Sequence, residues 1–246
     1  MGLGDVAGQV LGKKAERTAS DPATHTPTTT STETNAFATA QTKAESPTGR
    51  GPAASNSTSP VSPMLSASNF FSIFWITDTQ FLSQENPALF RMLTNWIVDN
   101  WSRYNGKLVI HTGDIVQAGD DQTQWANANE AMSILLKNGV PYTWCAGNHD
   151  DLANGDPTSG WSGSTWAPAF NPTVVGSQVN SLQYASWAGD CHAGMNTAVA
   201  FSANGLNFLV VNIEWNAEPD VLAWAEDLLD DPQYAGYHVI LAPTHT

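Results

Sequence analysis

The chain has 246 residues, 41% hydrophobic and only 13% charged, about half the ~25% charged content of an ordinary globular domain. Its 23 Asp and Glu against 9 Lys and Arg give a formal net charge of -14, which argues against a nucleic-acid or anionic-membrane binder, because phosphate backbones need Lys and Arg to displace their counterions. No apolar run approaches the ~18 residues of a spanning helix, and two cysteines make neither a disulfide scaffold nor a closed cysteine zinc site.

Residues 1–68 differ in kind from the rest. They hold no Trp or Tyr and one Phe, Phe37, and stretches such as Thr24–Asn35 are almost wholly polar. Such a composition cannot bury enough apolar surface to offset the entropy of ordering. We therefore expect a disordered Ser/Thr/Ala/Pro-rich tail over 1–68 and one compact domain over 69–246. In the tail, Lys13, Lys14, Arg17, Lys43 and Arg50 balance Asp5, Glu16, Asp21, Glu33 and Glu45, so the net negative charge belongs to the domain. The first residues carry no secretory or myristoylation signal. A Ser/Thr/Pro linker before a Trp-rich, Lys-poor domain leans toward an extracytoplasmic setting, although a high-salt cytosol would suit the same acidity.

The domain reads as alternating strand and helix. Phe70–Thr77 is a short apolar run of strand character. Pro87 opens a helix whose Leu89, Leu93, Trp96, Ile97, Trp101 and Tyr104 recur at helical spacing, until Asn105-Gly106 stops it. Lys107–His111 is the next strand, about Asp121–Asn138 a second helix, and Tyr142–Cys145 a third strand. About fifty loop-like residues follow, rich in Gly, Asn, Ser and Trp. Thr197–Phe201 and Leu206–Ile213 flank the hairpin signal Asn204-Gly205. Pro219 opens a last helix, with Val221, Trp224, Ala225, Leu228 and Leu229 on one face, and His238–Ala242 is a final strand. This order implies an α/β fold with a βαβαβ start and helices packed on the sheet.

Ligands in α/β sheets collect beyond the carboxyl ends of the strands. Those ends here carry Asp78-Thr79-Gln80, Gly113-Asp114, Gly147-Asn148-His149-Asp150 and Thr244-His245. Two carboxylates (Asp78, Asp114), two amides (Gln80, Asn148) and two imidazoles (His149, His245) thus meet one rim, a donor set suited to Mn, Fe, Zn or Mg. The domain's four basic residues, Arg91, Arg103, Lys107 and Lys137, lie on helices or strand starts. Bound metal would therefore have to supply any strong positive field at that rim. Other residues read more blandly. His111 alternates with Val109 as a core residue, His192 suits the surface, His238 is structural, and His25 falls in the tail. Cys145 and Cys191 read as buried free thiols, a disulfide remaining open. Trp96, Trp101 and Trp224 read as core.

Those four strand-end motifs resemble, in the right order, the calcineurin-like metallophosphoesterases, across residues 70–246. The resemblance implies a layered sandwich of mixed sheets flanked by helices, with two divalent metal ions. Asp78 would ligate the first metal, Asp114 would bridge both, and Asn148 and His245 would hold the second. Gln80 stands where the family's first motif, usually Asp-x-His, has its His, and would offer an amide oxygen instead. His149 would face the phosphoryl group and assist the leaving oxygen, with Asp150 orienting it through a ring nitrogen. The implied reaction is hydrolysis of a phosphomonoester or phosphodiester by a metal-bridging hydroxide, with a phosphate ester as partner; nothing bears on oligomeric state. The family's final Gly-His-x-His motif has no counterpart before Thr246, so the domain reads as C-terminally incomplete, a fragment or a degenerate copy, and weak activity is expected from this chain alone. Two rivals are a dead pseudo-phosphoesterase that serves as a binding module, and a carbohydrate-binding or glycosidase domain using Trp161, Trp166 and Trp187 as a stacking platform.

Overall fold

The structure is a computed structural model that describes residues 70–244. The tail expected over 1–68 and the expected ligand His245 lie outside the described residues.

Strand β1 (Ser72–Ile76) is followed by a five-residue helix α1 (Gln80–Gln84) and by α2 (Pro87–Asn100). Then come β2 (Gly106–Thr112), α3 (Gln122–Lys137) and β3 (Tyr142–Cys145). The region expected to be loop holds the one-turn helix α4 (Gly163–Trp166), α5 (Pro172–Asn180) and a strand, β4 (Ala185–Cys191). β5 (Asn196–Ala203), β6 (Leu206–Ile213), α6 (Pro219–Asp230) and β7 (His238–Pro243) complete the order.

One seven-stranded sheet runs β1-β2-β3-β5-β6-β7, with β4 also on β5. β1, β2 and β3 are parallel, β4, β5 and β6 antiparallel, and β7 runs parallel to β6. The β3–β5 junction is a single rung, Cys145 opposite Asn196, supplemented by the Thr197 hydroxyl, which accepts from the Trp144 amide at 2.8 Å. Such a narrow junction lets the sheet curl. Phe71, just before β1, accordingly packs against Phe201 and Phe208 of β5 and β6, centroids 6.1 and 5.3 Å apart. The larger core fills that curl. The alternation of β5 sends Val199 and Phe201 into it, and Ala198 and Ala200 outward to Ala225 and Trp224 of α6. The β5–β6 turn is the expected one: Asn204 and Gly205 both have positive φ, 51° and 78°, as a two-residue type I′ turn requires.

The aromatic expectations need correction. α2 buries Phe90, Thr94 and Ile97, with Leu93 packed against the core; of the expected stripe Leu89 and Trp96 are instead exposed, Trp96 at 50% against Phe74 and Tyr104. The helix ends at Asn100, so Trp101 and Tyr104 lie beyond it. Trp161 is buried between Trp125 and Phe170, and Trp187 packs on Trp144. These rings pack against the core, Trp161 keeping 8% of its surface exposed, and they do not share one open stacking platform. Both cysteines are free thiols, Cys145 buried and Cys191 half-buried.

Candidate metal centre

The ends of β1, β2 and β3 meet through backbone before any side chain is considered. The Asp78 amide donates to the Gly113 carbonyl at 3.2 Å, and a Cβ on Gly113 would press against Gly147 and the Thr244 hydroxyl. A Cβ on Gly147 would collide with the Asp114 carboxylate. Glycine at these two positions is what lets three strand ends close on one carboxylate. Asp78 and Asp114 both sit at positive φ, 54° and 51°, a conformation that L-residues hold only where surroundings dictate it.

Asp114 is the centre of the cluster. Its Oδ1 accepts from the His149 amide at 3.2 Å, and the Gln80 side chain approaches Oδ2 at 3.4 Å. With the nitrogen on that side, the Gln80 oxygen would face the carbonyl oxygens of Asp78 and Asp114, two acceptors. Exchanging the amide ends lets the nitrogen donate to both, at 2.9 and 3.1 Å. The amide oxygen then faces the Asp114 carboxylate. The Asp78 carboxylate, one strand end away, accepts from the Thr77 hydroxyl at 2.8 Å, and the residue types of the rim, carboxylates of Asp78 and Asp114 and amides of Gln80 and Asn148, carry the hard oxygens that Mn, Mg or Zn accept. Among the described residues no three His, Cys, Asp or Glu side chains gather as a metal-holding group. Thr244 brings the chain to Gly113, one residue before His245.

His149 is held by a contact that the sequence did not reveal. Its Nδ1 lies 3.0 Å from the Gln117 backbone carbonyl and 3.2 Å from the Gln117 side-chain amide nitrogen, so Gln117 fixes this edge of the ring in either tautomer and Nε2 is left for other work. Gln117 is placed in turn by Gln124, whose Oε1 accepts from the Gln117 and Ala118 amides, and Gln124 is tied to the α3 N-cap Asp121. Asp150 does not take its expected role of orienting His149. Its Oδ1 accepts from the Ile115 and Val116 amides and its Oδ2 from the Gly147 amide, at 2.8 to 2.9 Å. It staples the loops after β2 and β3 together. Burial pushes its pKa well up, and the three amides pull back toward the ionised form. His111 is fully buried as expected, bonded through Nε2 to the Thr79 hydroxyl, and burial holds its pKa down at about 3, so it stays neutral.

His192 is no ordinary surface histidine. Nδ1 lies 2.9 Å from Glu214 Oε1 and Nε2 3.0 Å from Asp220 Oδ2. A neutral ring would set a lone pair against one of those carboxylates, so the clasp favours the imidazolium, although burial also raises the pKa of Glu214. Burial acts to lower the His192 pKa, but the bond to Asp220 and the charge of Glu214 outweigh it and raise the value above the ordinary 6.5. A raised folded-state pKa gives stability that is complete below the unfolded value and lost as pH rises through the folded one. His192→Gln is therefore expected to cost about 2 kcal/mol at pH 6, with buried Glu214 left without its counter-charge. In chemical denaturation the difference from wild type should shrink above pH 7. An equal difference at pH 6 and pH 9 would contradict this.

The chain is 45% identical over 84 residues to the uncharacterized protein YvnB of Bacillus subtilis (strain 168), a match covering 34% of this chain and 6% of that protein. A family model, calcineurin-like phosphoesterase, matches residues 71–245, which take in every strand end described above. The chain belongs to the calcineurin-like phosphoesterase family, whose general chemistry is phosphoester hydrolysis.

Proposed function

We propose that the domain hydrolyses a phosphomonoester or phosphodiester with two divalent cations held at the strand-end rim. The observation that carries this reading is the closure of the β1, β2 and β3 ends on the buried Asp114 carboxylate, with the Gln80 side chain against one oxygen and a Gly147 cradle that admits no side chain. Asp78, Gln80, Asp114, Asn148 and His245 would hold the cations. When bound, these supply the positive charge and Lewis acidity that phosphoryl transfer needs. The chain's own part is positional. Asp114, buried and at positive φ, presents its carboxylate without further reorganisation. His149, fixed by Gln117 through Nδ1, keeps Nε2 for the phosphoryl oxygens and, when protonated there, passes a proton to the leaving oxygen. The Asp150 staple holds both loops in register.

The test is hydrolysis of p-nitrophenyl phosphate by the 246-residue chain with manganese against the same protein in EDTA. Turnover that needs manganese supports the reading; no difference between the two sinks it. Gln80→Ala should weaken manganese binding by at least about tenfold, since removing even an indirect metal partner costs that much. Unchanged affinity in a manganese titration would remove Gln80 from the ligand set.

A further inference from the structure

A cavity of about 430 Å³ opens between the loop after His149 and the turn after β4. Its walls include Thr158, Trp161, His192, Ala193, Met195 and Glu218. Both walls are fastened to the rim described above. On one side the Gly155 amide donates to the Asn148 carbonyl at 2.7 Å, and Asp151 pairs with Trp161. On the other side His192 is clasped to Glu214, next to Ile213, whose carbonyl accepts from the Thr244 amide. Trp215 donates to the Ala146 carbonyl, one residue before Gly147. These bonds fasten both walls of the cavity to the strand ends that carry Asn148 and Thr244.

The charge of the cavity is uneven. His192 lines the cavity with Glu214 and Asp220 paired to it from outside the lining, and Glu218 is the carboxylate of the wall itself. The region is net negative even with His192 protonated. No Lys or Arg lines this cavity. Arg91 is paired with Glu130, Arg103 lies over Tyr104 and Lys107 over Tyr184. Trp161, Met195 and Ala193 add an apolar, polarisable surface. Carboxylate charge beside aromatic and thioether surface favours a desolvated organic cation, and repels nucleotides and other polyanions. The volume falls within the range of small-ligand sites.

We propose that this cavity receives the alcohol side of the phosphate ester, and that this side is a small organic cation such as a quaternary amine. The inference rests on the phosphoesterase reading for its link to turnover, but the cavity itself needs no metal. Choline titrated into the full chain in EDTA, followed by calorimetry, should bind at least about tenfold more tightly than its neutral isostere 3,3-dimethylbutanol. Glu218→Gln should weaken choline about fivefold or more. Equal binding of the two probes, no binding of choline, or an unmoved Glu218→Gln variant overturns the proposal and leaves the phosphoesterase reading untouched. In manganese, phosphocholine should be cleaved with about tenfold higher kcat/KM than 3,3-dimethylbutyl phosphate, and equal values overturn it. Choline binding without any manganese-dependent hydrolysis of p-nitrophenyl phosphate would instead sink the phosphoesterase reading alone.

Discussion

Asp114→Asn is expected to lower manganese-dependent kcat/KM by at least about 1000-fold, or about 4 kcal/mol of transition-state stabilisation. The carboxylate is the point where the ends of β1, β2 and β3 meet. One oxygen takes the His149 amide and the other faces Gln80. Asparagine keeps the size and one acceptor oxygen, so the fold should survive, as circular dichroism and an unchanged denaturation midpoint would show. What it loses is charge, in a domain whose few basic residues lie away from the rim. A variant that folds and keeps more than about a tenth of wild-type activity would place the reaction elsewhere.

The second large effect is on stability. Asp150→Ala should cost about 4 kcal/mol, because three buried amides, of Ile115, Val116 and Gly147, lose their common acceptor. Unsatisfied buried donors cost ~1–3 kcal/mol each, and partial relaxation keeps the sum below its maximum. Against a typical total of ~5–15 kcal/mol, that is a severe loss. A domain of this size should melt about 8–16 °C lower. Asp150→Asn should fall between, since its nitrogen must face either the Gly147 amide or the Ile115–Val116 pair. A melting temperature within about 2 °C of wild type for Asp150→Ala would refute the staple.

Much of the fold was legible because it is written in local signals. Pro87, the Asp121 cap, and Asn204-Gly205 each act through backbone constraints within a few residues, and the structure follows them. β4 was not legible. Its residues, ASWAGDC, show no clean alternation, are at most half-buried, and contain a bulge between Trp187 and Gly189. The exposed Trp96 shows a different failure: helical spacing marks two possible faces, and packing of Phe90, Thr94 and Ile97 against the core decides between them. At the site, residue types and strand-end positions were readable, and their partners were not. Asp150 reaches amides 34 and 35 residues away, Gln117 holds His149 from 32 residues away, and His192 meets Glu214 and Asp220 at 22 and 28. No local spacing encodes those contacts.

The most direct test of the metal-centre account is metal content. Wild-type chain and Asp114→Asn, each loaded with manganese and desalted, would be compared by mass spectrometry of the metal. The account predicts about one to two equivalents in wild type and a loss of most of it in the variant. Equal content in both, or less than about a tenth of an equivalent in wild type, would contradict a metal centre built on Asp114.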